Sequence, residues 1–156
     1  GYNTLGTVIE EIRNLSRRLT PPSLGDIGLD EAVKELVAPI TASHPVKIRR
    51  KIDDIEVASS LQLMIYRVIQ EQLHNILKYS HATYVLLTLK KSNSRIILTI
   101  IDNGIGFDTA QKPAGSGLFN IKSRARVYGG MVKIVSSPGN GCTIKMSIPL
   151  KKNPAA

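Results

Sequence analysis

Asp102-Asn-Gly-Ile-Gly-Phe107 follows directly on Arg95-Ile-Ile-Leu-Thr-Ile-Ile101, an apolar, β-branched run that reads as a buried strand. A carboxylate at the end of a strand, with glycines two residues apart behind it, is a combination with a chemical use. An ionised Asp only accepts hydrogen bonds, so it can take one from an exocyclic amine such as that of adenine. Gly104 and Gly106 let backbone pass close to a bound ring, because no Cβ stands in the way. Asp-Asn-Gly is also a common turn sequence. The hexapeptide alone therefore leaves two readings open, and its neighbours in sequence weigh between them.

Upstream runs Ser59-Ser-Leu-Gln-Leu-Met-Ile-Tyr-Arg-Val-Ile-Gln-Glu-Gln-Leu-His-Asn-Ile-Leu-Lys-Tyr-Ser80. Its apolar residues Leu61, Ile65, Val68, Ile69, Leu73 and Ile76 recur at three or four, the helical period. Ser59 followed by Gln62 predicts a capping box at its start. Glu71, Asn75 and Lys78 share one face: at about 100° per residue, Asn75 falls roughly 40° and Lys78 roughly 20° to either side of Glu71. An amide oxygen suits Mg²⁺, which prefers hard oxygen ligands, and an ammonium can neutralise a phosphate. The same trio also fits a solvated polar face with helical charge pairs.

Downstream comes Gly115-Ser-Gly-Leu-Phe-Asn-Ile-Lys-Ser-Arg-Ala-Arg-Val-Tyr-Gly-Gly130, a glycine hinge opening a helix that stops at a double glycine. Backbone amides at a helix start bind phosphate well. A P-loop is excluded, since that motif needs glycines where Ser116 and Ile121 stand, and Asn120 occupies the third glycine position of a dinucleotide fingerprint. Ser137-Pro-Gly-Asn-Gly141 then forms a tight turn into an alternating final strand.

Taken together, these stretches resemble the GHKL superfamily of ATP-binding domains. The helix with Glu71, Asn75 and Lys78 looks like its N box, Asp102-Asn-Gly-Ile-Gly106 like its first glycine box and Gly115-Ser-Gly-Leu118 like its second. Gly139-Asn-Gly141 is similar to its closing glycine turn. Gly117-Leu-Phe-Asn-Ile-Lys-Ser-Arg-Ala125 and the N-terminal run Ile9 to Leu29 resemble sensor histidine kinases of the nitrate-sensor and membrane-fluidity-sensor type. The resemblance implies an α/β two-layer sandwich, a mixed and mostly antiparallel sheet with helices on one face. It implies ATP and Mg²⁺ as ligands, with Asn75 on the metal, Lys78 on the phosphates, Asp102 on the adenine amine and Gly104 and Gly106 giving the ring room. Gly115, Gly117 and Leu118 would bring amides to the phosphates. Glu71 would be the catalytic carboxylate, polarising an acceptor histidine or orienting the metal's water. The closing turn of the family usually leads into a Thr that supports the adenine-binding Asp. Here Cys142 takes that place, and Thr143, one residue on, is carried as a nucleotide-site candidate. Tyr79 stands where a His is common.

The same resemblance divides the chain into the end of a dimerisation and phosphotransfer hairpin (1–20), a linker (21–29), the ATP-binding domain (30–150) and a tail (151–156). It implies homodimerisation through the hairpin and a response-regulator receiver domain as partner of the full-length kinase. None of His44, His74 and His81 sits in a sequence like the family's Leu-His-Asp acceptor site, so the receiving histidine is expected elsewhere. Two alternatives remain: a GHKL serine kinase of the anti-sigma type, against which the hairpin-like segment speaks, and a non-catalytic ATP-dependent switch.

Composition bounds the remainder. The length suits one domain, no apolar run is long enough for a transmembrane helix, and no leader resembling a signal peptide is evident. The lone cysteine, Cys142, excludes an internal disulfide and fits a reducing cytoplasm. Few aromatics predict an aliphatic core. The net charge of +9 attracts polyanions, but the basic residues are dispersed along the sequence and lack the interleaved aromatics on which bases stack. Neither nucleic acid nor membrane contact is therefore expected of this segment. A coarse secondary-structure reading places helices at 4–20, 30–42 and 59–80, and another between the glycine hinge at 115 and the double glycine ending at 130. Strands are expected at 46–52, 82–91, 94–101, 131–136 and 143–148, with a lid-like loop at 105–116.

Overall fold

The computed structural model describes residues 24–111 and 115–151. In chain order these form α1 (Leu24–Ser43), β1 (Lys47–Ile52), α2 (Ser59–Asn75) and a π-helical turn (Ile76–Ser80) that prolongs α2. Then follow β2 (Tyr84–Ser92), β3 (Arg95–Asp102), α3 (Gly117–Val127), β4 (Met131–Ser136) and β5 (Cys142–Pro149). The helix expected at residues 4–20, part of the expected lid and most of the expected tail lie outside the described residues.

The strands make one sheet in the order β1-β2-β3-β5-β4. β1 runs parallel to β2, and the other three pairings are antiparallel. Period-two alternation gives the sheet one dry face. Val85, Leu87 and Leu89 of β2, Ile96, Leu98 and Ile100 of β3, and Ile144, Met146 and Ile148 of β5 are all buried. Against them pack the apolar stripes of α1 (Val33, Leu36, Val37, Ile40), α2 (Leu61, Ile65, Val68, Ile69, Leu73) and α3 (Ile121, Ala125). The result is the expected two-layer sandwich with an aliphatic core, in which Tyr66 is the one buried aromatic among the described residues. Each fully buried Leu or Ile contributes about 1.5–3 kcal/mol of burial, so truncating a residue such as Ile69 or Leu73 to Ala costs about 2–5 kcal/mol.

Three local expectations are corrected. Ahead of the helix expected from Asp30 stands a further helical turn from Leu24, separated from it by a non-helical Gly28 (φ 76°, ψ 165°). Residues 24–27, read as linker from their composition, supply a helical turn anchored by buried Leu24, and glycine alone tolerates the positive φ that follows. The capping box of α2 does not form. Ala58 occupies the N-cap, Ser59 is already helical, and Gln62 Nε2 donates to the Val57 carbonyl at 3.1 Å. The turn between β2 and β3 is Asn93-Ser94, since Ser92 pairs with Arg95; Asn93 takes a left-handed φ of 55°, which Asn accepts more readily than most residues. Among the described residues no helix is long and apolar enough to cross a membrane.

Candidate functional site

β3 ends at Asp102, which the strand alternation sends to the helix-covered face, where it is buried. Both hydrogen bonds to its carboxylate fall on Oδ1: Ser80 Oγ donates at 2.8 Å and the Gly104 amide at 2.9 Å. Ser80 closes the π-helical turn that follows α2. A π turn is uncommon and tends to occur at functional sites. Here it carries Ser80 against the glycine loop, and the Ser80 carbonyl also accepts from the Ile105 amide at 2.8 Å. A Cβ at Gly104 would overlap both Ser80 oxygens. Gly104 is therefore required by the support beneath the carboxylate.

The loop after Asp102 is tied on its other side to the closing turn. Gly139 N donates to the Ile105 carbonyl at 2.6 Å, and Gly141 N to the Gly104 carbonyl at 3.0 Å. Gly106 needs its hydrogen side chain twice over, because its φ is +64° and an added Cβ would run into the Ser137 and Gly141 carbonyls. These contacts make the two glycine motifs one rigid floor.

Above the floor lies a cavity of about 370 Å³. Asp102 and Cys142 line it near the sheet, and Asn75, Tyr79 and Ser80 line it from α2 and its π turn. Gly115, Gly117 and Leu118 line it from the start of α3. Apolar walls with a few polar groups are the usual make-up of a small-molecule site.

Gly117 is where the second glycine motif meets α2. A Cβ there would stand 2.6 Å from Asn75 Oδ1 and 2.8 Å from Glu71 Oε1. The carboxylate and the amide predicted to share a helix face thus converge on the N-terminus of α3, whose amides have no intrahelical acceptors. Asn75 is steadied by Gln72, whose Oε1 accepts from Asn75 Nδ2 at 3.3 Å. Lys78 does not join them. It is exposed, and its Nζ sits 5.1 Å from the Tyr79 ring centroid, a cation–π arrangement. The ideal 100° spacing that put Lys78 beside Glu71 fails because each residue of a π turn advances less around the axis.

Thr143 is not part of the cavity. It pairs with Ile101 and shares that residue's solvent-facing side of the sheet, whereas Cys142 pairs with Asp102 and faces the site. Strand alternation makes the swap unavoidable: one residue along β5 is the other face. Burial, and after it the negative Asp102, push the Cys142 thiol up to about 11, so it stays a neutral, weak hydrogen-bonding group.

Sequence reasoning missed Ser80 and Gln72. Their signal lay in polar residues at the apolar positions of a helix: Gln72 falls three residues after Ile69 and Ser80 four after Ile76. Asn75, Asp102, Gly106, Gly115, Gly117 and Leu118 line one cavity, with Glu71 beside Gly117 and Gly104 beneath Asp102, while Lys78 is exposed outside its lining and Thr143 lies across the sheet.

Residues 60–152 match the family of histidine kinase-, DNA gyrase B-, and HSP90-like ATPases. Among curated proteins, the chain is 34% identical over 146 residues to the sensor histidine kinase LiaS of Bacillus subtilis (strain 168), covering 93% of this chain and 41% of that protein. It is 36% identical over 143 residues to the sensor protein VraS of Staphylococcus epidermidis, covering 91% of this chain and 41% of that one. The chain thus spans about two fifths of the length of these relatives. Among solved structures, the fold is similar to the histidine kinase domain of the Erythrobacter litoralis EL346 blue-light activated histidine kinase. The TM-score is 0.68 at 17% identity, over 78% of this chain and 65% of that one. It is also similar to the ATP-binding domain of PrrB from Mycobacterium tuberculosis, with a TM-score of 0.62 at 18% identity over 74% and 88% of the two chains.

Proposed function

The chain belongs to the histidine kinase-, DNA gyrase B-, and HSP90-like ATPases, and on that premise we propose that it is the ATP-binding catalytic domain of a two-component sensor histidine kinase. It passes the γ-phosphoryl group of Mg-ATP to a histidine on the kinase's hairpin domain, for relay to the receiver domain of a response regulator. The whole kinase dimerises through that hairpin, and this domain works on the cytoplasmic side.

The single observation that carries the reading is Asp102. A buried carboxylate is costly unless hydrogen-bonded, and here both of its hydrogen bonds occupy one oxygen, Oδ1. Oδ2 is left to accept from the adenine amine, with Ile105 and Leu118 among the cavity walls beside the ring. The phosphates then lie toward the N-terminus of α3, where free amides and the helix dipole favour negative charge.

The residues present fit Mg²⁺. Asn75 Oδ1 and Glu71 Oε1 lie within hydrogen-bonding distance of one point beside Gly117. Mg²⁺ takes one or two protein oxygens and completes its shell with water and phosphate. Asn75 would be the direct ligand. When bound, the metal neutralises charge on the phosphates. Lys78, exposed on the π turn against the Tyr79 ring, would add a cation once its side chain leaves that ring. Glu71, beside Asn75 at the start of α3, would polarise an incoming imidazole or orient a water there. Phosphoryl transfer asks chiefly for such positioning and electrostatics.

Calorimetric titration tests the site. ATP is expected to bind and GTP to bind far more weakly, since guanine presents a carbonyl where adenine has its amine. Asp102→Ala should abolish the discrimination and lose about 1–3 kcal/mol of ATP affinity. Equal affinity for the two nucleotides would remove the adenine assignment.

A further inference from the structure

The face of the sheet away from the helices carries a charge pattern that the nucleotide site does not use. Strand register assigns its residues. In β1 the exposed positions are Lys47, Arg49 and Lys51, while Arg50 points the other way to pair with Asp30 of α1 at 2.9 Å. Lys90 of β2, Arg95 of β3, Lys133 of β4 and Lys145 of β5 fall on the same open side. Arg95 Nε donates to Ser147 Oγ at 2.6 Å across that face. These seven cations stand on all five strands, and the strands contribute no Asp or Glu to this side. The nearest carboxylate along β1 is Asp53, just past its end.

Two features separate this pattern from an ordinary solvated surface. Lys133 and Lys145 are direct cross-strand partners, and like charges placed opposite one another destabilise a sheet. A surface arranged only for stability would put a carboxylate at one of those positions. Between the cations, aliphatic side chains protrude: Met131 is 73% exposed, Val135 57% and Ile101 38%.

We propose that this open face docks onto an anionic lipid bilayer. The cations are spread over all five strands, about 20 Å from outer strand to outer strand, so the face offers an area of contact where a nucleic-acid strand would need a track. Lysines dominate, and a lysine is a compact point charge suited to a diffuse anionic surface, whereas arginine suits bidentate recognition. The residues between the charges are aliphatic, with Tyr84 the one aromatic on these strand positions, and aliphatic groups enter a headgroup layer but offer bases no platform for stacking. Sequence reading saw dispersed basic residues and expected no membrane contact. Pairing five separate strands gathers those residues on one side, and only the register reveals it.

Vesicle co-sedimentation of the whole chain tests the proposal, using phosphatidylcholine alone and phosphatidylcholine with about one third phosphatidylglycerol. The chain should sediment with the mixed vesicles only, and be released at about 1 M NaCl, where the Debye length shrinks to about 3 Å. Each basic residue near an anionic surface contributes about a fivefold factor in partitioning. The combined variant Lys51→Gln, Lys133→Gln, Lys145→Gln should therefore lose on the order of 100-fold. Its thermal stability should be unchanged or higher, and its ATP affinity unaltered. A control of equal charge on the helix layer, Lys34→Gln, Lys122→Gln, Arg126→Gln, should still sediment. Equal binding to neutral vesicles, or equal loss in the two variants, would overturn the assignment to this face. Failure to sediment with either vesicle while a duplex DNA fragment binds would give the face to nucleic acid instead.

Discussion

Asp102 works only as well as its orientation, and Ser80 sets that orientation. Its hydroxyl and the Gly104 amide both hold Oδ1, which fixes the carboxylate plane before any ligand arrives. Ser80→Ala should weaken ATP binding about three- to tenfold, the worth of one net hydrogen bond, and Ser80→Thr should restore it. An unchanged affinity in Ser80→Ala would mean that the glycine amide alone suffices. Cys142 gives a second test at this scale. Its thiol is pushed up to about 11 in the folded protein, whereas an unfolded chain releases that proton near 8.5. Between these values the unfolded state has lost a proton that the folded state keeps, so stability falls as pH rises through the window. In urea denaturation, the stability difference between the parent and Cys142→Ala should shift against the parent by about 2–3 kcal/mol between about pH 8 and 11. A difference independent of pH would show the thiol to be less buried than its surroundings imply. Asp102 and Cys142 were both legible as residues, from a carboxylate before paired glycines and from a break in a familiar pattern. The assignment of Thr143 failed because a motif position does not state which face of a strand it occupies.

At the level of elements, the sequence was most informative where one period governed a long segment. The stripe of Leu61, Ile65, Val68, Ile69, Leu73 and Ile76 identified α2 and its buried face, and all six residues are buried. Glu71 and Asn75 converged as predicted because they lie within its regular part. The π turn from Ile76 to Ser80 was not legible, since nothing in a hydrophobic period marks one extra residue per turn. Lys78 lies on that turn, outside the regular helix that the spacing assumed, and Ser80 was overlooked. The junction of α2 with α3 offers a test in which local and tertiary physics disagree. Helix propensity ranks Ala above Gly by about 1 kcal/mol, so Gly117→Ala should stabilise α3 if the helix alone decides. An added methyl, however, would meet Asn75 and Glu71 at 2.6–2.8 Å. The expected outcome is at least a tenfold loss of Mg-ATP affinity on the order of the unsatisfied-contact cost, with no gain in melting temperature. A variant that is more stable and binds Mg-ATP normally would show that the two helices do not form a shared ligand site.

For the molecule as a whole, the sheet divides the labour. Its covered face builds the core and the nucleotide cavity, and its open face collects the basic residues. Fold class was readable early because alternation within β2, β3 and β5 specifies one dry face, and the motif order supplied the rest. Strand order was not readable, because it depends on pairings between residues some fifty positions apart, such as Arg95 with Pro149. On the proposed function, catalysis belongs to a larger assembly, in which a domain that positions ATP meets an acceptor on another part of the kinase. The most direct measurement is therefore transfer from radiolabelled Mg-ATP, with this chain supplied in trans with the hairpin domain of its own parent protein. The expected result is slow, acid-labile labelling of a hairpin histidine, slow because the linkage that raises effective concentration is absent. Glu71→Gln should reduce that transfer far more than ATP binding, as befits a group acting mainly in the transition state. Acid-stable phosphate on a serine of a partner, or label retained on His44, His74 or His81 of this chain with none on the hairpin, would contradict it.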